Sequence, residues 1–333
     1  MTTLPHVLSA RQAIGQHIAR TPLLPSPLLS RASGAQAYLK LECWQRTGSF
    51  KIRGALAKVA SLSPEERTRG LVTASAGNHG LGVAFAGQAL GCGPITIFVP
   101  TNAPQAKVNH LQTFGCQVRQ KGDDYDAAHA LAVAHAHETG ALYLSAYDDP
   151  TVIAGQGTVG LEILEDLPEA DTLLVPVGGG GLIAGIALVA KALNPAIHII
   201  GVQPNASPAA FLSLLHDRLY ETYPARPTIC DGLAGGFGRL PFELAQTLID
   251  DILVVPEADV WQAVRWLTAH EQLLVEGSGA IAIAPLLNSQ LAAPGQKVVA
   301  VLTGRNIDAA LLGRILTEEK EPTARDDDPH HSL

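Results

Sequence analysis

Residues 173–193 read "LLVPVGGGGLIAGIALVAKAL", an apolar run that passes through four consecutive glycines, Gly178 to Gly181, straight into an apolar helical stretch. Without Cβ atoms the backbone turns sharply there and comes close to a ligand. The N–H groups left unpaired at the helix start then face an anion, helped by the helix dipole. A tight strand-to-helix turn by itself uses only one or two such glycines. The junction therefore reads as a phosphate cradle, and it requires a strand leading into a helix.

The same order repeats along the chain. Residues 38–42, 70–75, 95–100, 141–145, 172–178, 198–204, 251–256 and 297–304 read as strands. Several are continuous apolar runs, as expected where both sheet faces are covered. Helical patterns fill 78–90, 104–113, 124–138, 151–165, 181–192, 207–216, 257–274 and 307–317. This alternation predicts an α/β fold with mainly parallel sheets flanked by helices. The strands divide more naturally between two sheets than into one barrel, although composition does not exclude the barrel. No internal repeat is evident. Residues 318–333, "EEKEPTARDDDPHHSL", lack apolar periodicity and read as a disordered tail.

With 333 residues and 47% hydrophobic content, the chain can bury a large core and should hold roughly two domains. A net charge of −8 without a Lys/Arg cluster argues against nucleic acid and for a small-molecule partner. Cys43, Cys92, Cys116 and Cys230 are widely spaced, which suits reduced thiols. The start "MTTLPHVLSARQAIG" lacks the basic-then-apolar order of a leader, and no apolar stretch reaches membrane-spanning length. A cytoplasmic protein without a membrane partner is expected.

Which phosphate the cradle holds is narrowed by its neighbours. Gly179, Gly181 and Ala184 match the G-x-G-x-x-G/A dinucleotide pattern, but the end of the next strand carries Gln203 where an acidic residue is wanted. A P-loop needs Gly-Lys-Ser/Thr, and Gly181 is followed by Leu182 and Ile183. A cofactor with one phosphate monoester needs only the glycine turn.

A second strand-to-helix loop, "TASAGNHGLGVAFAG" (73–87), offers Ser75, Asn78, His79 and backbone amides at a helix start, a seat for a carboxylate. An ordinary Ser/Asn helix cap explains one polar residue there but not the cluster. "VEGSGAIAIA" (275–284) places Glu276 in an apolar segment, either as a cap or as a buried acid with a raised pKa. "VLTGRNID" (301–308) ends a strand with Thr303, Gly304, Arg305 and Asn306. Finally, "RTGSFKIRGA" (46–55) sets Lys51 beside Phe50 just before an apolar helical stretch. Read alone, Lys51 is a solvated surface lysine. Read with the cradle and the Asn loop, these are the parts that hold pyridoxal 5′-phosphate. Lys51 makes the Schiff base, the glycines hold the phosphate, Asn78 bonds the ring hydroxyl, and neutral Thr303 faces the pyridine nitrogen.

"GSFKIRGA", "SAGNHG", "DDPTVIAGQGT", "VPVGGGGLIAG", "DGLAGG", "VEGSGA" and "LTGRNID" occur here in the order found in fold-type II pyridoxal-phosphate enzymes. From about residue 5 to 317 the chain resembles the serine/threonine dehydratase and serine racemase group. That resemblance implies a large cofactor-binding domain from residues 1–47 and 149–317, with a small domain, 48–148, inserted. It implies Lys51 as the Schiff-base lysine and general base, with Phe50 packed on the ring. It also implies Asn78, Gly178, Gly179, Gly180, Gly181, Glu276 and Thr303 around the cofactor, and Ser75, Gly77 and His79 at the substrate carboxylate. The implied reaction is dehydration and deamination of a β-hydroxy amino acid, L-threonine or L-serine first, to a 2-oxo acid and ammonia. For Lys51 to act as base near pH 7, its pKa must fall several units from ~10.4. Gly54 is expected to let the backbone pass close to the cofactor. The family habit is a homodimer.

Departures from the pattern sharpen the reading. Racemases of the group carry a second Ser after the first in the Asn loop, where this chain has Ala76. Racemisation needs a proton donor on each face, so Ala76 favours a lyase over a serine racemase. The family's cation-binding carboxylates have no counterpart in "GVQPNASPAAF", and no metal is expected. The regulatory domain that follows this region in biosynthetic relatives is not expected. Arg305 stands where a small residue is common. It is either a bystander or a receiver for the extra carboxylate of a 3-hydroxyaspartate substrate.

Overall fold

The computed structural model describes residues 2–291 and 294–317. Residues 318–333, read above as a disordered tail, lie outside the described residues.

Ten strands form two sheets: β1 (Leu23–Pro25), β2 (Gln36–Lys40), β3 (Leu71–Ala74), β4 (Ile95–Val99), β5 (Gln117–Gln120), β6 (Leu142–Tyr143), β7 (Thr172–Pro176), β8 (His198–Pro204), β9 (Asp251–Val255) and β10 (Lys297–Val301). The larger sheet runs β1-β2-β10-β7-β8-β9 and the smaller β5-β4-β3-β6. All pairings are parallel except β1 with β2. The α/β class with two mainly parallel sheets is as expected. Two strands not anticipated, β1 and β5, are edge strands with little buried surface. Neither carries the continuous apolar run that marks a covered strand.

Pairing β2 with β10, Val299 opposite Tyr38, joins the two ends of the chain in one sheet. The strands of the smaller sheet all fall between β2 and β7 in sequence. β7 sits between β10 and β8 and every residue of it is buried, which is why "TLLVP" is apolar after its opening Thr172. The helix Gly181–Leu193 that follows is buried over its first ten residues. It packs on the helix Pro150–Asp166. A Cβ on Gly157 would stand 2.9 Å from the Gly185 carbonyl, so the small residues let the two backbones approach.

The helix Lys51–Ala60 packs against both Asn78–Ala89 and Pro150–Asp166. Gly54 serves that packing. A Cβ there would overlap the Gln156 amide and lie 2.8 Å from Val152. The expectation that Gly54 makes room for a cofactor is therefore corrected: its neighbour is a helix.

Two residues along the same helix from Lys51, Arg53 is fully buried. Its guanidinium grips Glu42 through Nε and Nη2, both at 2.8 Å, and Glu162 through Nη1 at 2.8 Å and Nη2 at 2.9 Å. Lys40, also fully buried, donates to Glu162 at 2.6 Å and to the Thr21 carbonyl at 2.7 Å. Two cations and two carboxylates thus form a closed, neutral cluster under the start of the helix that carries Lys51.

Candidate active site

Lys51 opens its helix, with Phe50 as the preceding cap residue. Its Nζ donates to the Ala146 carbonyl at 3.0 Å and stands 5.2 Å from the centre of the Phe50 ring. Burial, with no counter-charge to offset it, lowers its pKa from 10.5 to about 8. The neighbour of its acceptor, Tyr147, lies against the glycine turn. A Cβ on Gly179 would overlap the Tyr147 ring, and one on Gly181 would lie 2.9 Å from its Cα. Gly180 has φ +89° and faces Phe237 and Pro241, so it needs both the missing side chain and the left-handed backbone. On the other side of the turn, a Cβ on Gly178 would stand 2.9 Å from Leu233 Cα. No side chain caps the helix Gly181–Leu193, which leaves its first N–H groups open toward the cleft. The turn is held from outside: Gly238 N–H donates to the Gly179 carbonyl at 3.1 Å. The Asp148 carboxylate accepts from Leu240 N–H at 2.9 Å at the start of the next helix.

The loop ending β3 has the same form. The helix Asn78–Ala89 starts after Gly77 without a side-chain cap. Ser75 Oγ accepts from Gly77 N–H at 3.2 Å, and Ser75 is half-buried. His79 turns away from the loop. Its Nε2 reaches the Leu144 carbonyl at 3.1 Å, and burial, then the nearby Lys51 charge, depresses its pKa to about 3. The imidazole is neutral and acts as a donor to that carbonyl.

The third wall comes from the segment after β10. Phe50 N–H donates to the Thr303 carbonyl at 3.0 Å, which places Lys51 beside that strand end. Thr303 is buried, and its hydroxyl lies 3.3 Å from the Ser278 carbonyl. Glu276 is only 6% exposed and accepts from Asn78 Nδ2 at 2.6 Å. Burial, then the Asp231 charge, pushes its pKa up to about 7, against the opposing Asn78 hydrogen bond. Of the two readings of Glu276, the buried acid is the one observed; its side chain caps no helix N–H.

Lys51, Phe50, Ser75, Gly77, Asn78, Gly178 to Gly181, Glu276 and Thr303 are thus brought to one region by three loops. Arg305 is not drawn in: its side chain is exposed, while its backbone N–H holds the Gly48 carbonyl at 2.9 Å. Gln203 is fully buried and bonded to backbone, to the Val177 carbonyl at 3.1 Å and from Phe211 N–H at 3.0 Å. Tyr125, His129, Tyr143, Ser145, Ala146, Tyr147, Asp148 and Glu221 line a cavity of about 260 Å³, which Lys51 does not line but meets through the Ala146 carbonyl. A larger depression of about 430 Å³ lies along β9, lined by other residues. Sequence reasoning missed Tyr147, Asp148 and the link from Asn306 to Asn78. Asp148, Asn78 and Asn306 stand in quoted motifs and Tyr147 just before one, but their partners are too distant in sequence to be read from spacing.

Two mainly parallel sheets, with an uncapped glycine turn and a half-buried lysine of lowered pKa, define an α/β enzyme of the cofactor-dependent class. Residues 14–304 match the family model described as "Pyridoxal-phosphate dependent enzyme". The chain belongs to that family. It is 43% identical over 319 residues to the L-threonine ammonia-lyase of Thermotoga maritima, covering 96% of this chain and 79% of that one. It is 37% identical to the catabolic L-threonine dehydratase of Escherichia coli, covering 93% and 94% of the two chains. Maize serine racemase superposes with a TM-score of 0.89 at 34% identity, over 94% of this chain and 96% of that one.

Proposed function

We propose that the protein is a pyridoxal-phosphate-dependent ammonia-lyase. It removes water and then ammonia from a β-hydroxy amino acid, L-threonine or L-serine, leaving a 2-oxo acid. The observation that carries this reading is Lys51: a half-buried amine with a pKa of about 8 at a helix start, near an uncapped glycine turn. The residues fit the cofactor. Side chains on Gly179 to Gly181 would collide with Tyr147 and Phe237, so only glycine lets the turn pack there, and the helix it leads into starts with no side-chain cap on the N–H groups that would receive a phosphate. The buried Ser49 hydroxyl, two residues before Lys51, lacks a partner among the described residues.

Pyridoxal phosphate, when bound, supplies an electron sink for negative charge at the substrate Cα. The protein's own residues do the rest. Lys51, with an appreciable neutral fraction just below its pKa, would attach the cofactor and, once displaced by the substrate amine, would be free to take the Cα proton. Gly178 to Gly181 would hold the phosphate, Phe50 would cover the ring, Asn78 would donate to the ring oxygen, and Thr303 would meet the pyridine edge. Glu276 orients Asn78 in turn. The helix start at Ser75, Gly77 and Asn78 holds the substrate carboxylate, and His79 supports that loop through Leu144. Residues 1–47 and 149–317 make the larger domain and 48–148 the inserted one. The protein works in the cytoplasm as a homodimer.

The placement of Arg305 supports threonine or serine over 3-hydroxyaspartate. Arg305 is exposed, and its backbone N–H is held by the Gly48 carbonyl, so its cation is not turned into the site to take a second carboxylate. The likeness to serine racemase favours a second reading, amino-acid racemisation. Against it, Ala76 offers no proton donor beside Ser75. The test is ammonia and 2-oxo acid release across L-threonine, L-serine and 3-hydroxyaspartate, with chiral analysis of residual serine. Lyase turnover on the first two supports the proposal. Turnover of 3-hydroxyaspartate alone, or D-serine forming faster than pyruvate, overturns it.

A further inference from the structure

Asn78 matters to the cofactor only if its amide presents N–H rather than oxygen, and a carboxamide has nearly the same shape either way round. Something must fix that sense. Glu276 accepts from Asn78 Nδ2 at 2.6 Å, but a carboxyl whose pKa lies at about 7 is in part a donor at neutral pH. Its own polarity is therefore not fixed.

Asn306 has no such ambiguity. Its Nδ2 donates to the Thr47 backbone carbonyl at 2.9 Å, and a carbonyl only accepts. The same nitrogen donates to Asn78 Oδ1 at 2.6 Å. Both of its hydrogens are thereby committed, and Asn78 must turn its oxygen toward Asn306 and its NH2 toward Glu276. The Asn306 backbone N–H also acts on the Glu276 carboxyl, opposing the effect of its burial. The seat for its amide is built: Gly48, at φ +77°, would carry a Cβ 2.6 Å from Asn306 Oδ1.

We infer that Asn306 is a positioning residue that fixes the amide of Asn78 with its donor end toward the cofactor, using the Thr47 carbonyl as the fixed reference. The inference rests on the proposed role of Asn78 as a cofactor ligand. Of the two hydrogens on Asn78 Nδ2, one goes to Glu276 and the other stays available to the cofactor.

Asn306→Asp keeps the shape but replaces the donor with an acceptor, which draws the Asn78 NH2 toward residue 306 and turns its oxygen inward. The experiment titrates each apoprotein with pyridoxal phosphate and records the dissociation constant and the visible band of the bound cofactor. Apoprotein melting serves as the folding control. Loss of one oriented hydrogen bond to a charged group predicts a dissociation constant raised about tenfold or more, with the band displaced. Asn306→Ser, whose single hydroxyl can serve Thr47 or Asn78 but not both, is expected between wild type and Asn306→Asp. It decides the matter alone if Asn306→Asp does not fold. A folded variant of either kind that binds within twofold of wild type with an unchanged band overturns the inference. Failure of the wild-type protein to bind pyridoxal phosphate would instead overturn the proposed function.

Discussion

Replacing Arg53 with Met keeps the length and apolar stem of the side chain but deletes the guanidinium at the centre of the buried charge cluster. Five hydrogen bonds go with it: two to Glu42, two to Glu162 and one to Thr158 at 3.1 Å. Lys40 then faces Glu42 and Glu162 alone, so one negative charge is left buried without compensation. Removing one partner of a buried ion pair typically costs about 3–5 kcal/mol. For a chain of this size that corresponds to a melting temperature lower by roughly 4–7 °C. The loss carries a pH signature. Burial alone would raise the pKa of Glu162, but the charge and hydrogen bonds of Arg53, then of Lys40, hold it below the ordinary value. In the wild type this depressed pKa adds stability above the unfolded value of about 4.5, lost as pH falls. Without Arg53, burial dominates and Glu162 is raised, so its cost is present at neutral pH and relieved by protonation as pH falls toward 4.5. Melting of both proteins at pH 5 and pH 7.5 should show the gap narrowing at the lower pH. Arg53→Met combined with Glu162→Gln should recover much of the loss at pH 7.5. A single-variant loss below about 1 kcal/mol, or a gap equal at both pH values, would refute the reasoning.

Three further outcomes are expected. Lys51→Met should make the apoprotein more stable at pH 7. A pKa of about 8 against 10.5 unfolded sets the cost of the buried ammonium at up to about 3 kcal/mol, reduced by the Lys51 side chain's partial exposure and about 1 kcal/mol for the lost Ala146 hydrogen bond. Because the folded pKa is the lower one, that cost is full below pH 8 and gone above 10.5. Urea unfolding should therefore show the advantage of the variant at pH 7 and its disappearance near pH 10.5. Gly179→Ala drives a methyl group into the Tyr147 ring and should weaken pyridoxal phosphate binding more than about tenfold by titration, with partial rescue by Tyr147→Ala. Ala76→Ser should raise the ratio of D-serine to pyruvate formed from L-serine, read by chiral chromatography. An unchanged ratio would remove Ala76 from the argument for a lyase.

The parts of the site legible in sequence are those whose chemistry is local. The strand, four glycines and helix at 173–193, the uncapped loop at 73–87 and the lysine after Phe50 each announce a backbone geometry within a few residues. What joins them is not local. β2 and β10 pair across the whole chain, and the Asn306–Asn78 bond spans 228 positions, so no spacing rule reaches either. β1 and β5 escaped because short edge strands lack the apolar run that marks a covered strand. Gly54 was read toward the cofactor because it lies near Lys51 in sequence. A side chain at Gly54 would instead meet Gln156 and Val152 of the helix Pro150–Asp166, which need the room. Arg305 shows the same limit: its motif lies at the site, while its side chain faces out.

The central claim, that Lys51 carries the cofactor, is tested most directly by reducing the reconstituted protein with borohydride and mapping the pyridoxyl phosphate adduct by peptide mass spectrometry. The account predicts a single adduct on the peptide containing Lys51, absent when L-threonine is added in excess before reduction. An adduct on another lysine, or none on a protein that still releases ammonia from L-threonine, would contradict it.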